Sequence, residues 1–243
     1  MQVILPTWQA PKNIRAFTTT RHGGVSTAPF DTLNLGAHVG DDPIAVEQNR
    51  IRLQQEMGLP QMPHFLNQTH TTNVLTLPSD STYPADASYT TQKGEVCLVM
   101  TADCLPVLFC NKDGTEIAAA HAGWRGLCDG ILENTVAKFN SPHHDIMVWL
   151  APAISQKAFQ VSEDLLHAFI DVDPHAEAAF IPDPSASNKY LADLYLLAKQ
   201  RLHALGITNI SGGEYCTFSD KDRFFSYRRE KNTGRIATLI WME

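Results

Sequence analysis

The feature that most constrains the fold of this chain is a set of short, almost continuously apolar runs. The clearest of them cover residues 96–101, 107–110, 146–150 and 236–241. Runs of this length that are rich in Val, Ile and Leu are typical of strands covered on both faces. Further strands are predicted at residues 15–20, 65–68, 74–77, 116–120 and 224–227. The sheets of this chain are therefore expected to lie between other layers.

Three helices are predicted, over residues 43–57, 125–139 and 190–205. Asp42 is the expected N-cap of the first helix, and Gly58 is its expected stop. The residues of that helix expected to face inward are Ile44, Ile51 and Leu53. Strands and helices interleave, but without the regular alternation of a doubly wound fold. We therefore predict an α+β fold, with mixed β-sheets flanked by helices.

Length and composition agree with one globular domain. The chain has 243 residues, of which 44% are hydrophobic and 19% are charged, so we predict a single domain over residues 1–243. The formal net charge of -7 argues against a general affinity for nucleic acid or for an anionic membrane, because such binding depends on clustered Lys and Arg. A small-molecule partner is expected.

The sequence also predicts a cytoplasmic location. No segment approaches the roughly 18 consecutive apolar residues that a membrane span requires. The first residues, Met1 to Pro6, lack the basic region of a signal peptide. The cysteines are odd in number, which fits reduced thiols better than a disulfide framework. They are Cys97, Cys104, Cys110, Cys128 and Cys216.

Unusual polar residues stand beside the apolar runs in the central third of the chain. Three of them are His70, Cys104 and His121. If the neighbouring strands end at the same rim of a sheet, two imidazoles and a thiolate converge there. This donor set suits Zn²⁺, and three protein ligands with an open fourth position are typical of a catalytic site. From the residues alone, a buried core cysteine with two hydrogen-bonded histidines remains an alternative.

The surrounding segments resemble the signature blocks of the laccase-domain family. They are Gln-Thr-His at 68–70, Thr-Ala-Asp-Cys-Leu-Pro-Val-Leu at 101–108 and His-Ala-Gly-Trp-Arg-Gly-Leu at 121–127, with further matches at 20–26, 33–36 and 225–229. The resemblance therefore spans nearly the whole chain. Members of this family are described as multifunctional purine nucleoside phosphorylases, formerly as polyphenol oxidases, and in some bacteria as a peptidoglycan editing factor.

The resemblance implies that His70, Cys104 and His121 bind zinc. It implies a zinc-dependent purine nucleoside phosphorylase that acts on adenosine, inosine, guanosine and methylthioadenosine, with adenosine deaminase as a second activity. One departure is visible, since the family usually has glycine after its first ligand histidine, and this chain has Thr71. Substrate fit near Thr71 is therefore expected to differ.

Three other activities remain open. A cytoplasmic amidase that edits peptidoglycan precursors is also implied by the resemblance, and zinc suits amide hydrolysis equally well. Copper-dependent phenol oxidation is less favoured, because no two of the ten histidines have the His-x-His spacing. A metal-free hydrolase would use Cys104 as nucleophile and His121 as its base.

The candidate catalytic residues are Asp103, Arg125 and Arg21. Asp103 is a candidate to orient a ligand imidazole or to accept a proton. Arg125 stands at a predicted helix start, where free N–H groups and a guanidinium favour phosphate. Arg21 lies beside two glycines that let the backbone approach a ligand. A turn carboxylate and two surface arginines are the corresponding structural interpretations.

The candidate substrate-binding residues are Asn34, Gln68 and Arg228. The two amides are suited to a purine edge or a ribose hydroxyl. Phosphorolysis requires an anion pocket, to which Arg228 is assigned together with the two candidate catalytic arginines.

Overall fold

A computed structural model describes residues 1–243 and places thirteen β-strands in three sheets. The central sheet consists, in spatial order, of β12 (Asn209–Gly212), β8 (Ile146–Leu150), β6 (Leu105–Asn111), β7 (Ile117–Ala122), β4 (Ala87–Thr90) and β3 (Val74–Thr76). Its outer pairs, β12 with β8 and β3 with β4, are parallel, and its inner pairs are antiparallel. The predicted mixed sheet is therefore present.

The second and third sheets are both antiparallel. The four-stranded sheet consists of β1 (Val3–Ile4), β2 (Ile14–Thr19), β13 (Ile236–Met242) and β5 (Val96–Thr101). The three-stranded sheet consists of β10 (Phe180–Pro182), β11 (Lys189–Ala192) and β9 (Gln160–Ser162). This smaller sheet is not predicted from the sequence, because its strands are short and partly exposed.

Six α-helices cover the sheets, and none of them has the length and apolar character needed to cross a membrane. They are α1 (Pro43–Met57), α2 (Trp124–Asp129), α3 (Ile131–Val136), α4 (Glu163–Ile170), α5 (Leu194–Ala204) and α6 (Tyr227–Glu230). Short 3₁₀ turns lie at His143–Asp145, Gln156–Ala158 and Pro174–Ala179.

The central strands are buried on both faces, which explains their continuous apolar sequences. On β6, Val107 and Phe109 pack into one core with α2, α3, α4 and α5, whereas Leu108 and Cys110 pack into a second core with the four-stranded sheet. A third core lies beyond that sheet, where Leu98 of β5 meets residues of α1. The result is a layered α+β domain of helices, sheet, sheet and helix, as predicted.

The first helix has the predicted ends but a different buried face. Asp42 accepts a hydrogen bond from the Ile44 amide, and Gly58 closes the helix with φ 61°. Ile44 is 67% exposed and Ile51 38% exposed, so their predicted inward orientation is wrong. The fully buried Asn49 faces inward instead, where its side chain hydrogen-bonds the backbone of the preceding loop. Polar bonding to that loop sets the rotation of the helix.

Other predicted boundaries also change. Gly130 has φ 102°, a conformation that breaks the helix predicted over 125–139 into α2 and α3. The helix predicted from residue 190 begins at Leu194, because residues 189–192 form β11. Residues 65–68 form no strand, and the strand predicted over 224–227 is replaced by a loop that leads into α6.

A buried carboxylate joins the start of β7 to the loop after α3. Glu116 accepts hydrogen bonds from the Tyr89 hydroxyl at 2.6 Å, the Asn140 amide at 2.7 Å and the Ser141 amide at 3.0 Å. Burial would raise the pKa of Glu116, but the hydrogen bonds from Ser141, Tyr89 and Asn140 outweigh it and lower that pKa. The charged form is therefore the one that stabilises the fold.

We predict that Glu116→Gln destabilises the protein by about 1 to 3 kcal/mol, because the amide NH₂ would face donors that need an acceptor. Urea unfolding at pH 7 measures this loss, and Glu177→Gln, at an exposed position, is the matched control. A lowered folded-state pKa contributes stability above the unfolded pKa, so the difference from wild type should shrink below about pH 4. Equal stability of the two variants at pH 7 would contradict this role.

Candidate metal centre

Strand register brings the three predicted ligands together. His121 lies on β7 opposite Pro106 of β6, and Cys104 lies two residues before Pro106 in the turn between β5 and β6. His70 lies in the loop before β3. The Cys104 Sγ and His70 Nε2 atoms are 3.8 Å apart, and the ligand atoms of all three residues lie within 4.8 Å of one another.

The Cys104–His70 separation is close to that of two ligands of a tetrahedral metal ion. Ligands at the usual zinc distances, about 2.1 Å for nitrogen and 2.3 Å for sulfur, lie about 3.6 Å apart. Gly123 makes the close approach possible, because a Cβ there would lie 2.6 Å from His70 Cδ2 and 3.2 Å from Cys104 Sγ. His121 is buried and His70 is exposed, so one side of the trio stays open. The donor set and its geometry fit a metal with an open coordination position.

Asp86 holds the trio from behind. Its fully buried carboxylate lies 2.7 Å from His121 Nδ1 and accepts hydrogen bonds from the backbone amides of Thr69, His70 and Thr71. Burial would raise the pKa of Asp86, but the hydrogen bond and charge of His121, followed by the bonds from Thr71, outweigh it and lower that pKa. A single carboxylate therefore orients one ligand imidazole and fixes the loop that carries another.

Thr71 contacts Asp86 and does not line the cavity described below. Its amide donates to the carboxylate at 2.6 Å and its hydroxyl at 2.9 Å. The residue with positive φ in this loop is His70, at 63°. The threonine at the usual glycine position therefore adds a hydrogen bond to the support of the ligand loop. The expected effect on substrate fit stays a prediction.

The electrostatics of the trio prepare a thiolate. Burial would raise the pKa of the Cys104 thiol, but the charges and hydrogen bonds of His121 and His70 outweigh burial and lower it. Burial would likewise lower the pKa of His121, yet Cys104 and Asp86 outweigh it and raise that pKa. Thiolate and imidazolium stabilise each other, so a metal ion that bound His121 would displace a proton.

The trio opens into a cavity of about 570 Å³. Aromatic side chains contribute to its walls, namely Trp124, Phe159 and Tyr227. Its basic residues besides the ligands are His38, Arg228, Lys231 and Arg235. The only carboxylate among the lining residues is that of Asp103. The cavity next to the candidate metal site is therefore basic and partly aromatic.

Asp103 lines the cavity but does not contact a ligand imidazole. Its carboxylate accepts hydrogen bonds from the Thr217 hydroxyl at 2.7 Å, the Ser226 hydroxyl at 2.9 Å and the Arg228 amide at 2.7 Å. The orienting contact predicted for Asp103 is made by Asp86 instead, because Asp103 is turned toward α6. Its role in proton transfer stays a prediction.

The two arginines predicted to be catalytic lie outside the cavity lining. Arg21 forms ion pairs with Glu230 at 3.3 Å and Asp31 at 3.4 Å. Arg125 is exposed, and its guanidinium lies 5.0 Å from the centre of the Trp124 ring. The ion pairs of Arg21 join distant parts of the chain, which local sequence does not reveal.

Of the three predicted substrate-binding residues, two line the cavity and one does not. Asn34 is fully buried, and its side chain bonds the backbone of Gly36 and Arg235. Gln68 lines the cavity, but its amide bonds both backbone groups of Met100. Of the three, Arg228 alone brings unused donors to the cavity wall.

Four further residues of the centre were missed by sequence reasoning. They are Asp86, His38, Lys231 and Arg235. Asp86 precedes β4, a strand that is not an apolar run, so its sequence carries no clear signal. Arg235 directly precedes β13, a strand that the sequence predicts. A charged residue at the start of this apolar strand is the sequence feature that could have marked Arg235 as a site residue.

Comparison with known proteins links the chain to one family. Residues 15–243 match the family described as multi-copper polyphenol oxidoreductase laccase. A purine nucleoside phosphorylase of Haemophilus influenzae is 57% identical over 244 residues, with 100% of each chain covered. The purine nucleoside phosphorylase YfiH of Escherichia coli is 52% identical over 243 residues, with 99% of each chain covered.

Solved structures show the same fold. A crystal structure of a Neisseria meningitidis protein is similar with a TM-score of 0.95 at 47% identity, and 100% of each chain is covered. The YfiH protein of Bacillus licheniformis is similar with a TM-score of 0.89 at 28% identity, over 95% of this chain and 93% of the other.

We predict that Asp86→Asn weakens metal affinity about 10- to 100-fold, the usual cost of losing a carboxylate behind a ligand histidine. Thr71→Val should weaken it less, because it removes only the hydroxyl bond. Competition with a chromophoric chelator for added Zn²⁺ measures both, and Asp80→Asn, at an exposed position, is the control. Unchanged affinity in a folded Asp86→Asn protein, checked by near-UV circular dichroism, would remove this role.

Proposed function

We propose, from the premise that this chain belongs to the family of multi-copper polyphenol oxidoreductase laccases, that it is a zinc-dependent purine nucleoside phosphorylase. The reaction would convert a nucleoside such as inosine and inorganic phosphate into the free base and ribose 1-phosphate. Adenosine, guanosine and methylthioadenosine are the other proposed substrates. The names of relatives with up to 57% identity support this proposal.

The observation that carries the proposal is the composition of one cavity. The His–Cys–His trio, aromatic walls and basic side chains line the same space of about 570 Å³. That volume falls within the range of about 300 to 1,000 Å³ typical of small-molecule sites. The aromatic walls suit a planar purine base, and the basic side chains suit an anion.

Zinc is proposed because two imidazoles and one thiolate form a borderline-soft donor set. When bound, zinc supplies Lewis acidity at the open side of the trio. The aromatic walls offer the faces on which a purine stacks. They come from separate elements, with Trp124 on α2, Phe159 before β9 and Tyr227 on α6. The nucleoside would thus be held between Trp124, Phe159 and Tyr227.

Adenosine deamination is proposed as a second activity. It requires a group that moves a proton, and Asp103 is the only carboxylate among the lining residues. That carboxylate already accepts three hydrogen bonds, from Thr217, Ser226 and the Arg228 amide. Its Oδ1 atom accepts only the Thr217 hydroxyl, which leaves a lone-pair site for a proton.

The proposed partners are a nucleoside and phosphate, and the proposed location is the cytoplasm. All five cysteines are unpaired, which fits a reducing compartment. A nucleoside and phosphate are small and soluble. The net negative charge of the chain agrees with such partners, because it does not favour binding to nucleic acid or to anionic membranes.

We predict that the zinc-loaded protein releases hypoxanthine from inosine only with phosphate present, along a saturation curve. Cys104→Ala should abolish both this release and adenosine deamination, because both depend on the trio. Cys216→Ala, which replaces a cysteine that does not line the cavity, is the control. Base release is followed by coupled urate formation, and ribose 1-phosphate by phosphorus NMR.

Phosphate-independent release of base would contradict phosphorolysis. Absence of any nucleoside cleavage, together with release of an amino acid from a peptidoglycan precursor, would make the editing amidase the better assignment. Full activity in the Cys104→Ala variant would exclude the trio as the reactive centre.

A further inference from the structure

The ion pairs of this chain reveal which partly buried arginines lack an anionic partner. Arg21 and Arg229 pair with Glu230, and Arg201 pairs with Glu133. Arg50, Arg228 and Arg235 are also only partly exposed, yet none of them forms an ion pair. Arg50 lies over the Phe65 ring, whereas Arg228 and Arg235 line the cavity beside the trio.

Arg235 is fixed in place without neutralisation of its charge. Its backbone amide donates to Asn34 Oδ1 at 2.9 Å, and one terminal nitrogen donates to the carbonyls of Thr233 and Gly234. A Cβ on Gly36 would lie 2.8 Å from Arg235 Cγ, so this glycine makes room for the stem. Burial lowers the pKa of Arg235, and the nearby Cys104 and Asp103 partly oppose this shift. The remaining guanidinium donors have no partner in the protein.

Arg228 is tied to the metal centre through Asp103. Its amide donates to the Asp103 carboxylate at 2.7 Å, and Asp103 directly precedes Cys104. One terminal nitrogen donates to the Gln160 carbonyl at 2.9 Å, and the guanidinium lies 5.3 Å from the centre of the Phe159 ring. The rest of the guanidinium is free to contact a ligand.

Lys231 adds a third cation to the lining of the same cavity. It follows α6 directly, and its ammonium lies 5.4 Å from the centre of the Tyr227 ring. No carboxylate lies within ion-pairing distance of it. Asp103 is the only acidic lining residue, and its carboxylate bonds neutral donors.

We propose that Arg228, Arg235 and Lys231 form an oxyanion subsite that binds a phosphoryl group beside the trio. The two arginines are unpaired and partly desolvated, which is costly, and an anionic ligand offsets that cost. Guanidinium groups suit this ligand because they bind phosphate oxygens in a bidentate manner. The subsite rests on the proposed function, in which phosphate is a substrate, and it replaces Arg21 and Arg125 as the anion-binding groups.

The phosphoryl group has two possible sources, free phosphate or the phosphate ester of a nucleotide. The test titrates inorganic phosphate into the zinc-loaded protein by calorimetry, and repeats the titration with inosine 5′-monophosphate and with inosine. Competition between the nucleotide and phosphate assigns an ester-accepting subsite. Phosphate binding that the nucleotide leaves unchanged assigns free phosphate.

Arg235→Gln and Arg228→Gln should each weaken phosphate binding about 10- to 100-fold, the effect of losing one charge-assisted contact. Arg235→Lys should retain part of the affinity, because it keeps the charge and loses the planar fork. Arg52→Gln, on the exposed side of α1, is the control. Zinc content and inosine binding should stay close to wild type in the arginine variants, which separates a subsite from a folding defect.

Two results of the titrations would overturn the subsite. One is saturable phosphate binding that both glutamine variants retain, and the other is a selective loss of binding in Arg125→Gln. Because binding is measured directly, the subsite is judged even if nucleoside cleavage fails. Conversely, phosphate-dependent cleavage with an unchanged phosphate KM in both glutamine variants would keep the phosphorylase and remove the subsite.

Discussion

The positions of His70 and His121 both depend on hydrogen bonds to Asp86. This residue precedes β4. Its backbone carbonyl accepts the His121 amide at 2.7 Å, and its side chain contacts the His121 imidazole. The same side chain accepts the amides of three successive loop residues ending at Thr71. Without this group, the amides of residues 69–71 would lose their acceptor, and the loop that carries His70 would be held to the sheets only through Gln68 and Asn73. Ligand position thus depends on a buried charge that is fully hydrogen-bonded.

A second carboxylate connects the trio to the basic wall of the cavity. Asp103 has φ 90°, an unusual conformation that lets the turn place Cys104 beside the two histidines. Its side chain points the other way and bonds Ser226 and the Arg228 amide at the start of α6. The turn between β5 and β6 therefore positions both the Cys104 thiolate and the backbone of Arg228. We expect that a displacement of Cys104 also displaces Arg228, and the reverse.

Sequence patterns identified the buried strands and the ends of one helix. The apolar runs located β5, β8 and β13, and Asp42 with Gly58 located the ends of α1, because each is a local property of the chain. The trio was found through family resemblance, since its members are far apart in sequence. Asp86 was missed because its role arises from the register of β4 with β7, where Ala87 lies opposite Ala120.

The arginines show most clearly what sequence could not predict. Arg228 and Arg229 are adjacent, yet the first lines the cavity and the second pairs with Glu230. Arg21 lies in a motif that resembles the family, but its guanidinium forms an ion pair with Glu230, which is 209 residues away. Whether an arginine is free for a ligand depends on which carboxylates the fold brings to it. That information exists only in the tertiary structure.

The family description refers to several coppers, whereas the chain assembles one group of three metal-binding side chains. X-ray absorption at the zinc and copper edges of the purified protein tests this difference directly. We expect one zinc per chain, bound by one sulfur at about 2.3 Å and two nitrogens at about 2.0 to 2.1 Å, with the sulfur signal lost in Cys104→Ala. A copper signal in place of zinc, or a zinc shell without sulfur in the wild-type protein, would contradict this account.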